Sequence, residues 1–139
     1  MTSVVSDASV VVKLLTPEQD SDRADLLIRR HDLVAPEWLL AELGNTIWSR
    51  VHSGLDMDIA AELLASALDL PLDLRSIRPL MARALAIATA ADHPVYDCIY
   101  LALAESLNVP LVTADQRFLG ALSRANLQTV AVTALADFG

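Results

Sequence analysis

Asp7, Glu42, Asp97 and Asp115 are spread over most of the chain, yet each stands where an apolar segment hands over to a turn or a new helix. If a fold gathers such junctions at one edge, four carboxylates meet there without a compensating lysine. Packed carboxylates repel, and a divalent cation is the usual way that repulsion is resolved. Oxygen donors with no imidazole or thiolate among them favour Mg2+ or Mn2+ over zinc. No Cys/His spacing points to zinc, because Cys98 is the sole cysteine and His31, His52 and His93 are scattered. The acids thus point to a hard-metal site.

Positioning them requires strands that end at a common edge. Strands are expected over 4–6, 33–35, 72–74, 110–113 and 129–132, from short β-branched or apolar runs next to turn residues. Helices are expected between them. The first covers 8–15 and stops at Thr16-Pro17, and the second covers 18–30, with acids early and Arg29-Arg30 late, as the helix dipole favours. The third begins at Pro36, suited to a first helical position, and runs to about His52, where Ser53-Gly54 breaks it. Further helices are expected over 56–68, with Asp56 as N-cap, then 78–91, 96–107 with Asn108 as the stop, and 116–125. Short strands alternating with long helices indicate an α/β domain whose parallel sheet is covered on both faces. In such a sheet, sites form outside the carboxyl ends of the strands, where Asp7 and Asp115 fall.

The 139 residues suit a single domain over 1–139, with no internal repeat and no linker long enough to divide it. Apolar residues make up 54%, but the longest apolar or small stretch, 84–91, is far short of the roughly 20 residues of a membrane span. The first seven residues lack a basic region and include Asp7, so no signal peptide is expected, and the location expected is the cytoplasm. The apolar excess points instead to surface buried against a partner or a second copy, and a homodimer is expected. Net charge of −8 weighs against nucleic-acid binding, and 4% aromatics against a stacking platform. Bound cations would reverse the local field, however, and nine of the ten basic residues are arginines, the better fork for phosphate.

The order Val-Val-Ser-Asp7-Ala8-Ser9, then Glu42-Leu-Gly-Asn45, then Tyr96-Asp97-Cys-Ile-Tyr-Leu-Ala-Leu-Ala-Glu105, then Leu-Val-Thr113-Ala-Asp115 resembles the PIN-domain pattern, in particular that of the VapC toxins of type II toxin–antitoxin pairs. The likeness spans nearly the whole chain. It implies a three-layer α/β fold with a central five-stranded parallel sheet and helices on both faces. It further implies that Asp7, Glu42, Asp97 and Asp115 form a catalytic site that binds Mg2+ or Mn2+ and cuts RNA, with a cognate VapB-like antitoxin as inhibitor. Asp7 and Asp97 are then the first choice as metal ligands. Asp115 binds directly or through water, and Glu42 orients the attacking water or holds a second ion. Asn45, Ser9 and Thr113 are candidates for orienting those carboxylates and waters. The helices between Glu18 and Leu68 offer an apolar groove for the antitoxin.

Each acid also has an ordinary structural use. Asp7 fits an N-cap, Glu42 a solvated helix face, Asp97 a dipole-favoured first turn, and Asp115 an Asx-turn. Four coincidences in one family's order weigh less than a site. Among the remaining residues, Asp92 reads as a cap and His93 as a turn residue with nothing to pair with. Cys98 reads as a small core residue, and Trp38 and Trp48 as core or interface. Arg50, Arg78, Arg83 and Arg117 are candidates for phosphate contacts. Two other functions compete with the nuclease: a catalytically silent interaction module, and a phosphotransfer or phosphatase domain. The latter needs a late lysine beside the phosphate, whereas the only lysine is Lys13 in the first helix.

Overall fold

The strands of the computed structural model, which describes residues 1–138, are β1 (Ser3–Ser6), β2 (Asp32–Pro36), β3 (Leu72–Arg75), β4 (Leu111–Thr113) and β5 (Val132–Ala134). Alternation along them divides the core. Val4, Leu33 and Val112 pack to one side of the sheet, and Val5, Val34 and Leu111 to the other, as the two-residue period of a pleated strand requires. The first side is covered by α1 (Ala8–Leu15), α2 (Ser21–Arg30) and a short turn of helix at Leu135–Asp137. Against the second side lie α3 (Trp38–His52), α4 (Met57–Leu68), α5 (Met81–Ala91), α6 (Val95–Leu107) and α7 (Gln116–Arg124). This is the three-layer arrangement expected for buried parallel strands.

All neighbouring strands are parallel, in the order β3-β2-β1-β4-β5. The chain winds outward from β1 to β3, then returns to lay β4 on the other flank of β1. Winding therefore reverses between β1 and β4, and a crevice opens at their carboxyl ends, where parallel α/β sheets place ligands. Asp7 is the residue after β1, and Asp115 follows two residues after β4. The most buried helix, α6, has every side chain from Cys98 to Ala104 in the core and packs against α5, β1 and β2. Its small residues Ala102 and Ala104 permit that close approach.

Boundaries follow local chemistry. Asp56 caps α4 by accepting from the amides of Asp58 and Ile59, and Asn108 ends α6 in the left-handed conformation at φ 53°. Four expected limits move. The second helix starts at Ser21, because Asp20 is left-handed and the Ser21 hydroxyl accepts the Glu18 amide, holding 18–20 as a turn. Pro36 is not the first residue of a helix; it closes β2 opposite Arg75, at a strand end where its missing N–H costs little. Arg78–Leu80 forms a tighter 3-10 turn before α5. The last strand lies at Val132–Ala134 rather than over 129–132, because Thr129 is drawn aside, its hydroxyl donating to Glu105 at 2.5 Å. No helix among the described residues is long and apolar enough to cross a membrane.

Candidate active site

Asp7 occupies the N-cap position of α1 but makes no well-formed side-chain cap there, the Val10 amide exerting only a weak pull on its carboxylate. Buried at 3% exposure, its carboxylate is instead held by two hydroxyls. Ser9 Oγ donates to Oδ1 at 2.5 Å, and Thr113 Oγ1 donates to Oδ2. Those hydroxyls are themselves anchored, Ser9 Oγ accepting the Ala114 amide at 2.8 Å and Thr113 Oγ1 the Asp115 amide at 3.0 Å. The loop after β4 is thereby tied to the start of α1 through one buried acid. Even so, burial pushes the Asp7 carboxyl up to about 6, with Asp97 adding repulsion against the lowering effect of the two hydroxyls.

Glu42 projects from α3 and accepts from the buried Tyr100 hydroxyl of α6 at 2.6 Å. Burial, opposed by that bond and reinforced by Asp97 and Asp7, raises its carboxyl to about 7. The Tyr100 hydroxyl is pushed far above its usual range, first by burial and then by Glu42, so it keeps the proton that it donates to Glu42. Asp7, Glu42 and Asp97 thus form one mutually repelling set supplied by α1, α3 and α6. None of these acids, nor Asp115, is paired with a lysine or arginine among the described residues.

Asp115 is placed differently. Its Oδ1 accepts the amides of Arg117 at 3.0 Å and Phe118 at 3.2 Å, so the ordinary capping use is realised at α7. It reaches the other acids only through Thr113 and does not figure among the charges that raise Asp7 or Glu42. Asp97 is likewise engaged, by His93 Nε2 at 2.7 Å. That bond corrects the reading of His93 as an unpaired turn residue; the pair spans four positions across the entry to α6, a spacing that brings side chains together. As the side chains stand, no three His, Cys, Asp or Glu groups among the described residues are gathered closely enough to hold an ion. The donor set nevertheless fits a hard cation in its chemistry: its carboxylates offer oxygen only, it is partly buried, and no lysine or arginine among the described residues offsets its repulsion.

Beside Glu42 lies an open cavity of about 410 Å³, lined by Trp38, Ala41, Asn45, Thr46 and Tyr96. Trp38 and Tyr96 stack at its side with centroids 5.2 Å apart. Asn45 lines this cavity, whereas Ser9 and Thr113 bond to Asp7 directly. Of the arginines considered for phosphate contacts, Arg50 pairs with Glu18 at 3.4 Å and Arg83 grips Glu105 with two bonds, so both are committed elsewhere. Cys98 is a core residue; burial, with Asp97 nearby, pushes its thiol up to about 11, away from reactivity.

Comparison with known proteins bears on the fold as a whole. The model of the PIN domain matches residues 4–121. Ribonuclease VapC3 of Pyrobaculum aerophilum is 29% identical over 118 residues, which cover 82% of this chain and 90% of that protein. Among solved structures, PAE2754 from Pyrobaculum aerophilum superposes with a TM-score of 0.73 at 22% identity, covering 97% of this chain and 90% of the other. A VapBC2 chain from Rickettsia felis, crystallised bound to a DNA fragment from the promoter, gives a TM-score of 0.68 at 13% identity, covering 96% and 98%.

Proposed function

We propose, starting from the fact that this chain belongs to the PIN-domain family, that it is a metal-dependent endoribonuclease and the toxin of a VapC-like toxin–antitoxin pair. The observation that carries the reading is the set Asp7, Glu42 and Asp97, mutually repelling acids at the β1/β4 crevice with no lysine or arginine partner among the described residues. Ribonuclease activity, stated of the VapC3 relative, supplies the substrate class.

In this reading Asp7 and Asp97 would hold Mg2+ or Mn2+, with Asp115 contributing directly or through water. Such an ion, when bound, would lower the pKa of a water and offset charge on the phosphodiester. The remaining work falls to the chain itself. Ser9 and Thr113 fix the orientation of Asp7, so that one rotamer of a buried acid is presented without search. Tyr100 holds Glu42 in the same way, facing the cavity where the attacking water is oriented. RNA lies across this crevice, and the ion overcomes the repulsion that a chain of net charge −8 exerts on phosphate.

A VapB-like antitoxin covers apolar surface on the helices between Glu18 and Leu68, where Leu26, Trp48, Met57, Ile59, Leu64 and Leu68 are exposed. The VapBC2 likeness supports such a partner. A homodimer and a cytoplasmic location complete the proposal. Cleavage of RNA by the purified chain is expected with Mg2+ or Mn2+ and is abolished by EDTA. Asp7→Asn keeps the shape while removing the charge, and the expected loss exceeds the roughly 10–100-fold that an outer partner of a metal ligand is worth. Cleavage that survives this change, or that EDTA leaves untouched, refutes the assigned site.

A further inference from the structure

We infer that His93 is a positioning residue for Asp97: by holding Oδ2 it presents the other carboxylate oxygen to the cation. The inference rests on the metal-centre reading above and extends it to a residue outside the four acids.

His93 is fixed at both of its ends. Its backbone amide donates to the Ala88 carbonyl at 3.1 Å, closing the end of α5 just after Asp92 turns left-handed at φ 49°. Its ring lies against Phe118 of α7, centroids 5.1 Å apart, and the side chain is 11% exposed. Pro94 follows in extended backbone and starts α6, which sets the imidazole above the first turn carrying Asp97. Three helices therefore meet at this side chain. Phe118 is fully buried, and its own amide is bonded to Asp115 Oδ1, so the brace joins the Asp97 carboxylate to the helix that Asp115 caps.

A ligating carboxylate is ionised and can only accept, so Nε2 is the donor across the 2.7 Å contact. Nε2 donates in the protonated ring and in the neutral Nε2–H tautomer, the one that an accepting carboxylate selects, so the brace does not depend on the charge of the ring. Among the described residues, no protein group other than His93 is bonded to the Asp97 carboxylate. Oδ1 is thus left for the ion. Outer partners of this kind orient metal-ligating carboxylates, and their loss typically weakens metal binding by about 10–100-fold.

Two substitutions separate positioning from packing. His93→Leu keeps apolar bulk against Phe118 but has no donor; His93→Gln restores an N–H donor on a flexible arm. Mn2+ affinity is measured by calorimetry on wild type and both variants, with melting temperature and the kcat and KM for RNA at saturating Mn2+. The leucine variant is expected to bind Mn2+ about 10–100-fold more weakly, with an unchanged KM for RNA and a nearly unchanged melting temperature. The glutamine variant is expected to recover most of the lost affinity. Wild-type Mn2+ affinity in the leucine variant overturns the inference while leaving the metal centre standing. Equal losses in both variants, accompanied by equal drops in melting temperature, overturn it in favour of a packing role. A wild-type protein that takes up no Mn2+ overturns the metal centre and this inference together.

Discussion

At the scale of single residues, the candidate site buries the carboxylate of Asp7 at a cost that its two hydroxyl bonds only partly offset. Asp7 titrates near 3.8 when unfolded and about 6 when folded. The folded chain therefore holds that proton more tightly, and stability falls as pH rises through the window from 3.8 to 6, with the full penalty present above it. A two-unit difference corresponds to about 3 kcal/mol, and subtracting about 1–3 kcal/mol for the hydroxyl bond that an amide cannot accept, Asp7→Asn should stabilise the metal-free protein at pH 8 by up to about 2 kcal/mol. The gain should shrink as the pH is lowered toward 4. Thermal melts in EDTA across that range check both statements, and a variant less stable than wild type at pH 8 contradicts them. Adding Mn2+ should reverse the ranking, because a ligand bound only by the native wild-type site raises its melting temperature alone. Residue-scale legibility was uneven for a related reason. Asp7 could be read from its place after a strand, but the cap it might have formed was indistinguishable from a site until Ser9 and Thr113 were seen to claim its oxygens. The His93–Asp97 pair was hidden because it bridges Pro94, and a proline there reads as a break rather than as a hinge that brings two side chains together.

Elements were legible wherever one local force ruled their ends. The caps Asp56 and Asn108 bound α4 and α6 as their side-chain and backbone chemistry requires. The adjacent valines of β1, Val4 and Val5, could be recognised before their partners were known, since a strand buried on both faces has little other composition open to it. Where a distant group intervened, the sequence was a poor guide. Pro36 has the properties of a first helical residue, but pairing with Arg75 keeps it in β2. Thr129 has strand propensity, but its bond to Glu105 of α6 delays β5. Asp115 joins the two cases, because the carboxylate that caps α7 is the one that the proposed metal site would draw on. Asn at this position retains a capping oxygen without the charge, whereas Ala removes both. Asp115→Ala should cost about 1 kcal/mol of stability through the lost cap, together with RNA cleavage. Asp115→Asn should melt close to wild type and still lose cleavage. Denaturant titration and a cleavage assay on the pair decide the matter: full activity in the asparagine variant would reduce Asp115 to a cap.

At the scale of the whole molecule, the sheet order brings distant acids together and the helical layer leaves apolar surface over. The reversal between β1 and β4 is what sets Asp7 beside the loop of Asp115, and no property of either segment alone announces that adjacency. The excess of apolar residues was visible from composition, but where it would lie was not. On α4 the buried strip contains Ala60 and Ala67, while Met57, Leu64 and Leu68, seven and four residues apart, form an exposed stripe alongside it. A helix needs only one apolar face to join its own core. This second stripe, with Trp48 exposed on the neighbouring α3, leaves large apolar side chains in solvent, a face that would suit another chain. Without an antitoxin, the isolated chain should satisfy it by self-association. Light scattering on the purified protein is expected to give a mass above that of one chain. The double substitution Leu64→Gln and Leu68→Gln should bring it down to one chain, with little change in melting temperature, because both side chains are already exposed at 40% and 58%. An unchanged mass in that variant would move the self-contact to another face and leave this stripe to the antitoxin alone.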